Sequence, residues 1–159
     1  MKVRPHPGTG VEISAVDLRD LDDTTFAEIH ALFVRHGLLF FRDQQLSEAD
    51  HIALARRFGT ININRFFPQH AEHPEIAVVQ KAPGQRLNIG GAWHTDHSYD
   101  EEPALGSLLV ARDLPDSGGD TWFVSMADAW TRLPARIQRT LLSLLSLIHI
   151  SEPTRRSYI

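Results

Sequence analysis

Apolar and polar side chains alternate along residues 10–18, and this period of two predicts a half-buried strand. After it, apolar side chains recur at helical spacing up to His36. Thr24 or Thr25 is predicted to cap this helix, and Gly37 supplies its C-terminal stop. The chain therefore begins as a strand followed by an amphipathic helix.

The next apolar run, residues 38–41, is short and ends at a polar stretch, so it predicts a second strand. Ser47 is then predicted to cap a helix over residues 48–58 that ends at Gly59.

From residue 60 onward, short strand-like pieces alternate with connections rich in proline and glycine. The predicted strands are residues 76–80, 93–99, 105–112 and 121–125. Two helices follow, over 128–133 and over 135–145 with Pro134 in the first turn. Strands punctuated by turns indicate a sandwich or barrel. The predicted fold class is α+β, with two early helices and then an incomplete jelly roll whose core includes Trp122 and Phe123.

Composition narrows the classes of function. The 159 residues are 42% hydrophobic and 23% charged, which is typical of one soluble globular domain. A formal net charge of -4 offers no basic surface for nucleic acid. The absence of cysteine excludes disulfides and thiolate metal ligands. The N-terminus has no apolar signal region and no run reaches membrane-spanning length, so a cytoplasmic protein without a membrane partner is expected.

His94 and Asp96 are the candidate metal ligands. In an extended segment the two side chains point to the same face, since strand side chains alternate. Histidine with a carboxylate suits Fe(II), and a facial triad needs one further histidine. Tyr99 shares this face and could line the pocket. A satisfied polar pair with no metal is the alternative interpretation of so short a motif.

Thr121 is the candidate anion-binding residue. Gly118 and Gly119 predict a tight turn, after which the Thr121 hydroxyl can donate to an anion at the start of a strand. The alternative is a turn threonine that bonds its own backbone.

Five segments resemble the taurine dioxygenase (TauD/TfdA) family in their order and spacing. They are GLLFFRDQ (37–44), ARRFG (55–59), WHTD (93–96), EPALGS (102–107) and GGDTW (118–122), within a resemblance from about Gly10 to about Leu144. The resemblance implies a double-stranded β-helix (jelly roll) that holds Fe(II) and uses 2-oxoglutarate as cosubstrate. It also implies that His94 and Asp96 bind the metal and that Thr121 bonds a carboxylate of 2-oxoglutarate.

The same resemblance shows what differs or is absent. The family's third iron ligand, a histidine, and the arginine that pairs with 2-oxoglutarate have no counterpart in the chain. Taurine-specific members carry a histidine and a tyrosine where Asn64 and Phe67 stand, and an asparagine near Gly90. These residues and Tyr99 are the candidate substrate-lining positions. The departures put taurine itself in doubt, and sulfonates, sulfate esters and aryloxy acids stay open as substrates.

The resemblance implies hydroxylation of a small organic acid by dioxygen, with succinate and CO2 as products. Two alternatives stay open: a jelly-roll domain that binds a metal or small ligand without turnover, and a related enzyme acting on an amino acid or a biosynthetic intermediate. A homo-oligomer is also left open.

The last residues look foreign to the rest. Residues 145–155 resemble one reading frame of a transposase adapter used in sequencing libraries, although a natural helix end and tail is the alternative. We therefore expect residues 1–144 to be the N-terminal part of a single dioxygenase domain, residues 145–159 to be a non-native tail, and the chain to be inactive as it stands.

Overall fold

The computed structural model describes residues 1–64, 66–82, 84–86, 90–96 and 100–144. The predictions for Tyr99 and for the 145–159 tail lie outside these residues, as does the end of the predicted 93–99 strand.

A three-stranded sheet forms the start of the fold. It contains β1 (Lys2–Pro5), β2 (Val11–Ser14) and β3 (Leu39–Phe41). The order is β1-β2-β3, with β1 antiparallel and β3 parallel to β2. The two predicted strands are confirmed in shortened form. β1 was not predicted: it has only four residues and ends at a proline, and the structure shows all four exposed.

Helix α1 (Asp23–His36) connects β2 to β3. It begins two or three residues earlier than predicted, because the Asp22 side chain accepts a hydrogen bond from the Thr25 backbone N–H at 2.6 Å. The prediction of a cap at Thr24 or Thr25 was therefore wrong. The predicted stop is confirmed, since Gly37 adopts the left-handed conformation and its N–H donates to the Phe33 carbonyl oxygen at 2.7 Å.

Helix α2 (Glu48–Phe58) follows the sheet with the predicted bounds. Ser47 and Asp50 form a reciprocal capping box: the Asp50 N–H donates to Ser47 Oγ at 3.1 Å, and the Ser47 N–H donates to Asp50 Oδ2 at 2.9 Å. Arg57 in its last turn ties α2 to α1, because Arg57 Nη2 lies 2.5 Å from Asp23 Oδ1 and the guanidinium lies 4.3 Å from the centre of the Phe26 ring.

The hydrophobic core lies between the sheet and these two helices. Its buried side chains are Val11, Ile13, Leu18, Ile29, Leu46 and Leu54. Ile13 and Ile29 are the largest fully buried side chains. Each such side chain contributes roughly 1.5–3 kcal/mol by leaving water.

The second half of the chain differs most from its prediction. None of its four predicted strands is present among the described residues, where the pairing outside the named strands is a single antiparallel bridge between Gln69 and Ala77. The prediction of a jelly roll is therefore not met in the described part, which is a small mixed α+β region. Trp122 and Phe123 are 77% and 44% exposed, so the prediction that they are core residues was wrong. Strands need partners for their backbone groups, and among the described residues the pairing of these segments is limited to residues 76–78, which bond to residues 68–70.

Two short helices end the described region, α3 (Met126–Arg132) and α4 (Ala135–Leu141). Both were predicted: α3 begins two residues and ends one residue earlier than expected, and α4 begins as expected and ends four residues earlier. Neither contains a buried residue. Within the described residues, the structure has no helix long and apolar enough to cross a membrane.

Polar contacts hold the extended segment 105–112 against α2. His51 Nε2 lies 3.1 Å from the Leu108 carbonyl oxygen, so this nitrogen donates. Arg112 bonds the Leu46 carbonyl oxygen, and its Nη2 lies 3.4 Å from Glu48 Oε1. Leu108 and Val110 pack on the core from the inner side of this segment. Burial lowers the pKa of His51 below its ordinary 6.5, against the smaller raising effect of its bond to Leu108.

We expect the free energy of unfolding to fall as the pH drops below about 6.5. In this range His51 takes up a proton in the unfolded chain, whereas its lowered pKa keeps it neutral in the folded chain. Stability is retained above this pH and lost as the pH approaches the folded-state pKa. Urea titrations at pH about 7.5 and about 5.5 measure how much the free energy of unfolding changes with pH. His51→Gln should reduce this change. An equal reduction by His36→Gln would show that His51 is not its source.

Candidate active site

The predicted ligand pair lies in the short described stretch 90–96. His94 Nε2 and Asp96 Oδ1 are 3.4 Å apart, so the structure brings the two side chains together as predicted. The segment is not a strand, since residues 93–95 have no regular structure and residue 96 is a bend. Both side chains are more than half exposed, at 56% and 66%.

The backbone orients the His94 ring. Nδ1 lies 2.8 Å from the Ala92 carbonyl oxygen, and because a carbonyl only accepts, Nδ1 must donate. In the neutral ring Nε2 then carries a lone pair, and it faces the Asp96 carboxylate. Two acceptors at 3.4 Å repel each other unless a proton or a cation lies between them.

His94 Nε2 and Asp96 Oδ1 are two donor atoms of the kind that bind a divalent metal. A divalent ion with bonds of about 2.1 Å can contact two donor atoms up to about 4.2 Å apart, so one ion can reach both His94 Nε2 and Asp96 Oδ1. Nitrogen with carboxylate oxygen is a donor set that suits iron. No group of three or more histidine, cysteine, aspartate or glutamate side chains able to hold a metal occurs in the part of the chain described, and the role of His94 and Asp96 as metal ligands stays a prediction.

Thr121 follows the predicted tight turn. Gly118 and Gly119 have φ of 77° and 76°, the left-handed region that favours glycine. The Thr121 side chain is exposed. Among the described contacts, no hydrogen bond joins Thr121 to His94 or Asp96. Its role as an anion-binding residue stays a prediction.

Three of the four candidate substrate-lining residues lie in the described part of the chain: Asn64, Phe67 and Gly90. Asn64 Oδ1 accepts from the backbone N–H groups of Phe66 and Phe67 at 2.8 and 3.2 Å, which closes a local turn and leaves the side-chain amide NH2 as a donor. Phe67 is half-buried. Gly90 lies beside the His94 ring, where an added Cβ would be 3.0 Å from Cε1. Tyr99 lies outside the described residues.

The sequence interpretation missed the Ala92 carbonyl as the group that orients His94. A backbone carbonyl has no side-chain signature, so the only available signal was the Gly90-Gly91 pair just before the histidine.

Comparison with known proteins identifies the family of the chain. Residues 2–157 match the family described as "Taurine catabolism dioxygenase TauD, TfdA family". The chain belongs to this family. The prediction from the five sequence segments is thereby confirmed, and the TauD/TfdA family consists of alpha-ketoglutarate-dependent dioxygenases.

Two relatives have names that specify different substrates. The chain is 30% identical over 157 residues to an alpha-ketoglutarate-dependent sulfonate dioxygenase of Saccharomyces cerevisiae, covering 92% of the chain and 38% of the relative. It is 34% identical over 164 residues to an alpha-ketoglutarate-dependent sulfate ester dioxygenase of Pseudomonas putida, covering 96% and 50%.

A crystal structure from Burkholderia xenovorans is also similar. That protein is described as a candidate alpha-ketoglutarate-dependent taurine dioxygenase; the TM-score is 0.70 at 26% identity, covering 89% of this chain and 53% of that one. The chain thus spans about half or less of the length of each of these proteins.

Asp96→Asn should weaken the binding of Co²⁺, a spectroscopic substitute for Fe(II), by about tenfold or more, since loss of a ligand costs at least as much as loss of a group that orients one. The side chain keeps its size but loses its charge. Visible absorption during Co²⁺ titration measures the dissociation constant. Asp100→Asn is the matched control, and an equal loss there would argue against a specific ion site at Asp96.

Proposed function

We propose that these residues belong to an Fe(II)- and 2-oxoglutarate-dependent dioxygenase that hydroxylates a small organic acid and releases succinate and CO2. The observation that carries this proposal is the 3.4 Å separation of His94 Nε2 and Asp96 Oδ1, with the imidazole turned by Ala92 so that Nε2 faces the carboxylate. Membership of the TauD/TfdA family supports it.

Each residue has a role in the proposed mechanism. His94 offers the Nε2 lone pair, and Asp96 offers a carboxylate whose negative charge partly neutralises a divalent cation. Bound iron supplies the activation of dioxygen. Two ligands from this stretch and one further histidine would form a facial triad, which leaves room for the cosubstrate. The Thr121 hydroxyl would donate to a carboxylate of 2-oxoglutarate and so set its orientation.

The substrate class we favour is a sulfonate, a sulfate ester or a similar acid, as the names of the two relatives indicate. Asn64 is consistent with an anionic headgroup, because its oxygen is occupied by the backbone and its NH2 group is left to donate. Phe67 would line the apolar part of the substrate. Gly90 and Tyr99 are further proposed lining positions.

The second candidate function is a domain that binds a metal or a small ligand without turnover. It is favoured by the exposure of both ligand side chains, because catalysis of this kind needs a site that excludes water. Fe(II)-dependent succinate formation by a longer natural chain that includes these residues would separate the enzyme from the binder. Localisation to the cytoplasm stays a prediction.

We further propose that residues 1–144 are the N-terminal part of one dioxygenase domain. That residues 145–159 are non-native stays a prediction. The support for the domain proposal is the exposure of large apolar side chains in the second half of the chain, among them Leu109, Leu114 and Trp122 at 71–77%. A soluble monomer rarely exposes so much apolar surface. Relatives about twice as long have the additional chain that could cover it.

We predict that the purified 159-residue chain forms little or no succinate from 2-oxoglutarate and Fe(II), because the described residues offer two of the three proposed ligands and leave this apolar surface uncovered. Succinate would be measured by chromatography, with a characterised family member as the positive control. Robust turnover by the 159-residue chain would overturn the proposal that further ligands are required.

In a longer natural chain with activity, Thr121→Val should raise the KM for 2-oxoglutarate by about tenfold, as expected for one lost hydrogen bond to a charged group worth roughly 1.5 kcal/mol or more. Thr121→Ser, which keeps the hydroxyl, should restore it. If valine and serine behave alike, Thr121 does not bind the cosubstrate through its hydroxyl.

A further inference from the structure

The stretch that carries Thr121 is exposed and has no regular structure of its own. Residues 113–124 are all exposed, and helix α3, which follows them, contains no buried residue. Among the described residues, two side chains make the hydrogen bonds, ion pairs and ring contacts that join residues 112–124 to the first sixty residues. They are Arg112, at the Leu46 carbonyl and Glu48, and Phe123, at Phe40.

Distance along the chain makes Phe123 the stronger constraint on Thr121. Thr121 follows Arg112 by nine positions, and an extended chain of that length reaches about 30 Å. It precedes Phe123 by two positions, which limits the same distance to about 7 Å. Arg112 alone therefore allows the Thr121 hydroxyl a wide range of positions, whereas a fixed Phe123 restricts it.

Phe123 contacts a ring that is itself held by the sheet. The rings of Phe40, in the middle of β3, and Phe123 meet edge to face with centres 6.1 Å apart. On the Phe40 side, the His6 ring lies at 4.2 Å and the Arg42 guanidinium at 6.0 Å from the ring centre. The backbone of Phe40 pairs with Glu12 of β2. Since Phe40 belongs to the sheet and Phe123 does not, Phe40 sets the position of Phe123.

We propose that Phe40 is a positioning residue for Thr121: its ring holds Phe123, which keeps the hydroxyl two residues away in reach of 2-oxoglutarate. This rests on the proposed function, since it takes Thr121 as the residue that binds the cosubstrate. The contact between the two rings does not depend on 2-oxoglutarate or on iron. Its geometry lies in the favourable range for aromatic pairs, about 4.5–7 Å between ring centres.

The first test measures the position of residue 121 in the 159-residue chain. Because the sequence has no cysteine, nitroxide labels can be attached at Glu28→Cys, on the exposed side of α1, and at Thr121→Cys. Pulsed electron paramagnetic resonance gives the distribution of distances between the two labels. We expect a narrow distribution when Phe40 and Phe123 are unchanged. Phe40→Ala or Phe123→Ala should widen it by about 10 Å or more, because Arg112 is then the nearest contact with the core.

Two further variants separate the ring contact from a general loss of structure. Trp122→Ala is the matched control: it removes a larger ring, 77% exposed, beside Phe123 and should leave the distribution narrow. Phe123→Tyr keeps the ring and should also keep it narrow. Phe123 is 44% exposed and lies outside the core, so Phe123→Ala stays informative if Phe40→Ala unfolds the chain. An unchanged distribution in Phe123→Ala would overturn the proposal, as would an equal widening in Trp122→Ala.

The second test connects the contact to the cosubstrate in a longer natural chain with activity. Phe123→Ala should raise the KM for 2-oxoglutarate by about two- to tenfold, the scale of one aromatic pair, with kcat little changed. Phe123→Tyr should restore the KM. In combination with Thr121→Val, Phe123→Ala should add no further rise, because both variants act on the same hydrogen bond. Additive rises in KM would contradict a role that acts through Thr121.

The two tests distinguish this proposal from the function on which it builds. If Thr121→Val alone leaves the KM for 2-oxoglutarate unchanged, the assignment of Thr121 to the cosubstrate fails, and the link to 2-oxoglutarate fails with it. The label distances in the 159-residue chain would still decide whether Phe40 holds this stretch through Phe123. If Thr121→Val raises the KM and Phe123→Ala does not, Thr121 binds the cosubstrate without help from Phe40.

Discussion

Ile13 is completely buried in the middle strand of the sheet, and the folded part of the chain is arranged around it. Across the sheet it pairs with Val3 on one side and Phe41 on the other. The helix between β2 and β3 allows these two strands to pair in parallel and brings Ile29 into the same cluster. The small core that results contains buried residues from 11 to 54, and Leu108 and Val110 pack against it.

Segments in the second half of the chain differ in how they contact this core. Segment 105–112 is well anchored, because Leu108 and Val110 meet the core and His51 and Arg112 add polar bonds. Farther on, Phe40 and Phe123 contact each other edge to face with ring centres 6.1 Å apart. Helices α3 and α4 contain no buried residue, so they are held by local hydrogen bonds and, in α3, by the Ser125 cap.

The candidate site stands outside the core, and its geometry is local. Ala92, His94 and Asp96 lie within five residues, and the contacts that set the imidazole are made among them. A site of this kind can keep its ligand orientation even where surrounding strands are absent. It cannot exclude water by itself, which is why the pair is a better guide to the family than to the activity of these 159 residues.

Local chemistry made most of residues 10–59 predictable from sequence, although not the Asp22 cap of α1. Ser47 with Asp50 and the stop at Gly37 act through neighbours in the chain, so the bounds of α2 and the end of α1 followed from residue type alone. The pairing of His94 with Asp96 was equally local.

Tertiary structure decided everything that depends on distant partners. The strands expected over 93–125 are not formed in the described residues, because a period of two gives a strand its faces but cannot supply the neighbour that accepts its backbone hydrogen bonds. Trp122 is exposed for the same reason, and the closeness of Gly90 to His94 came only from the coordinates, because an absent side chain leaves no pattern.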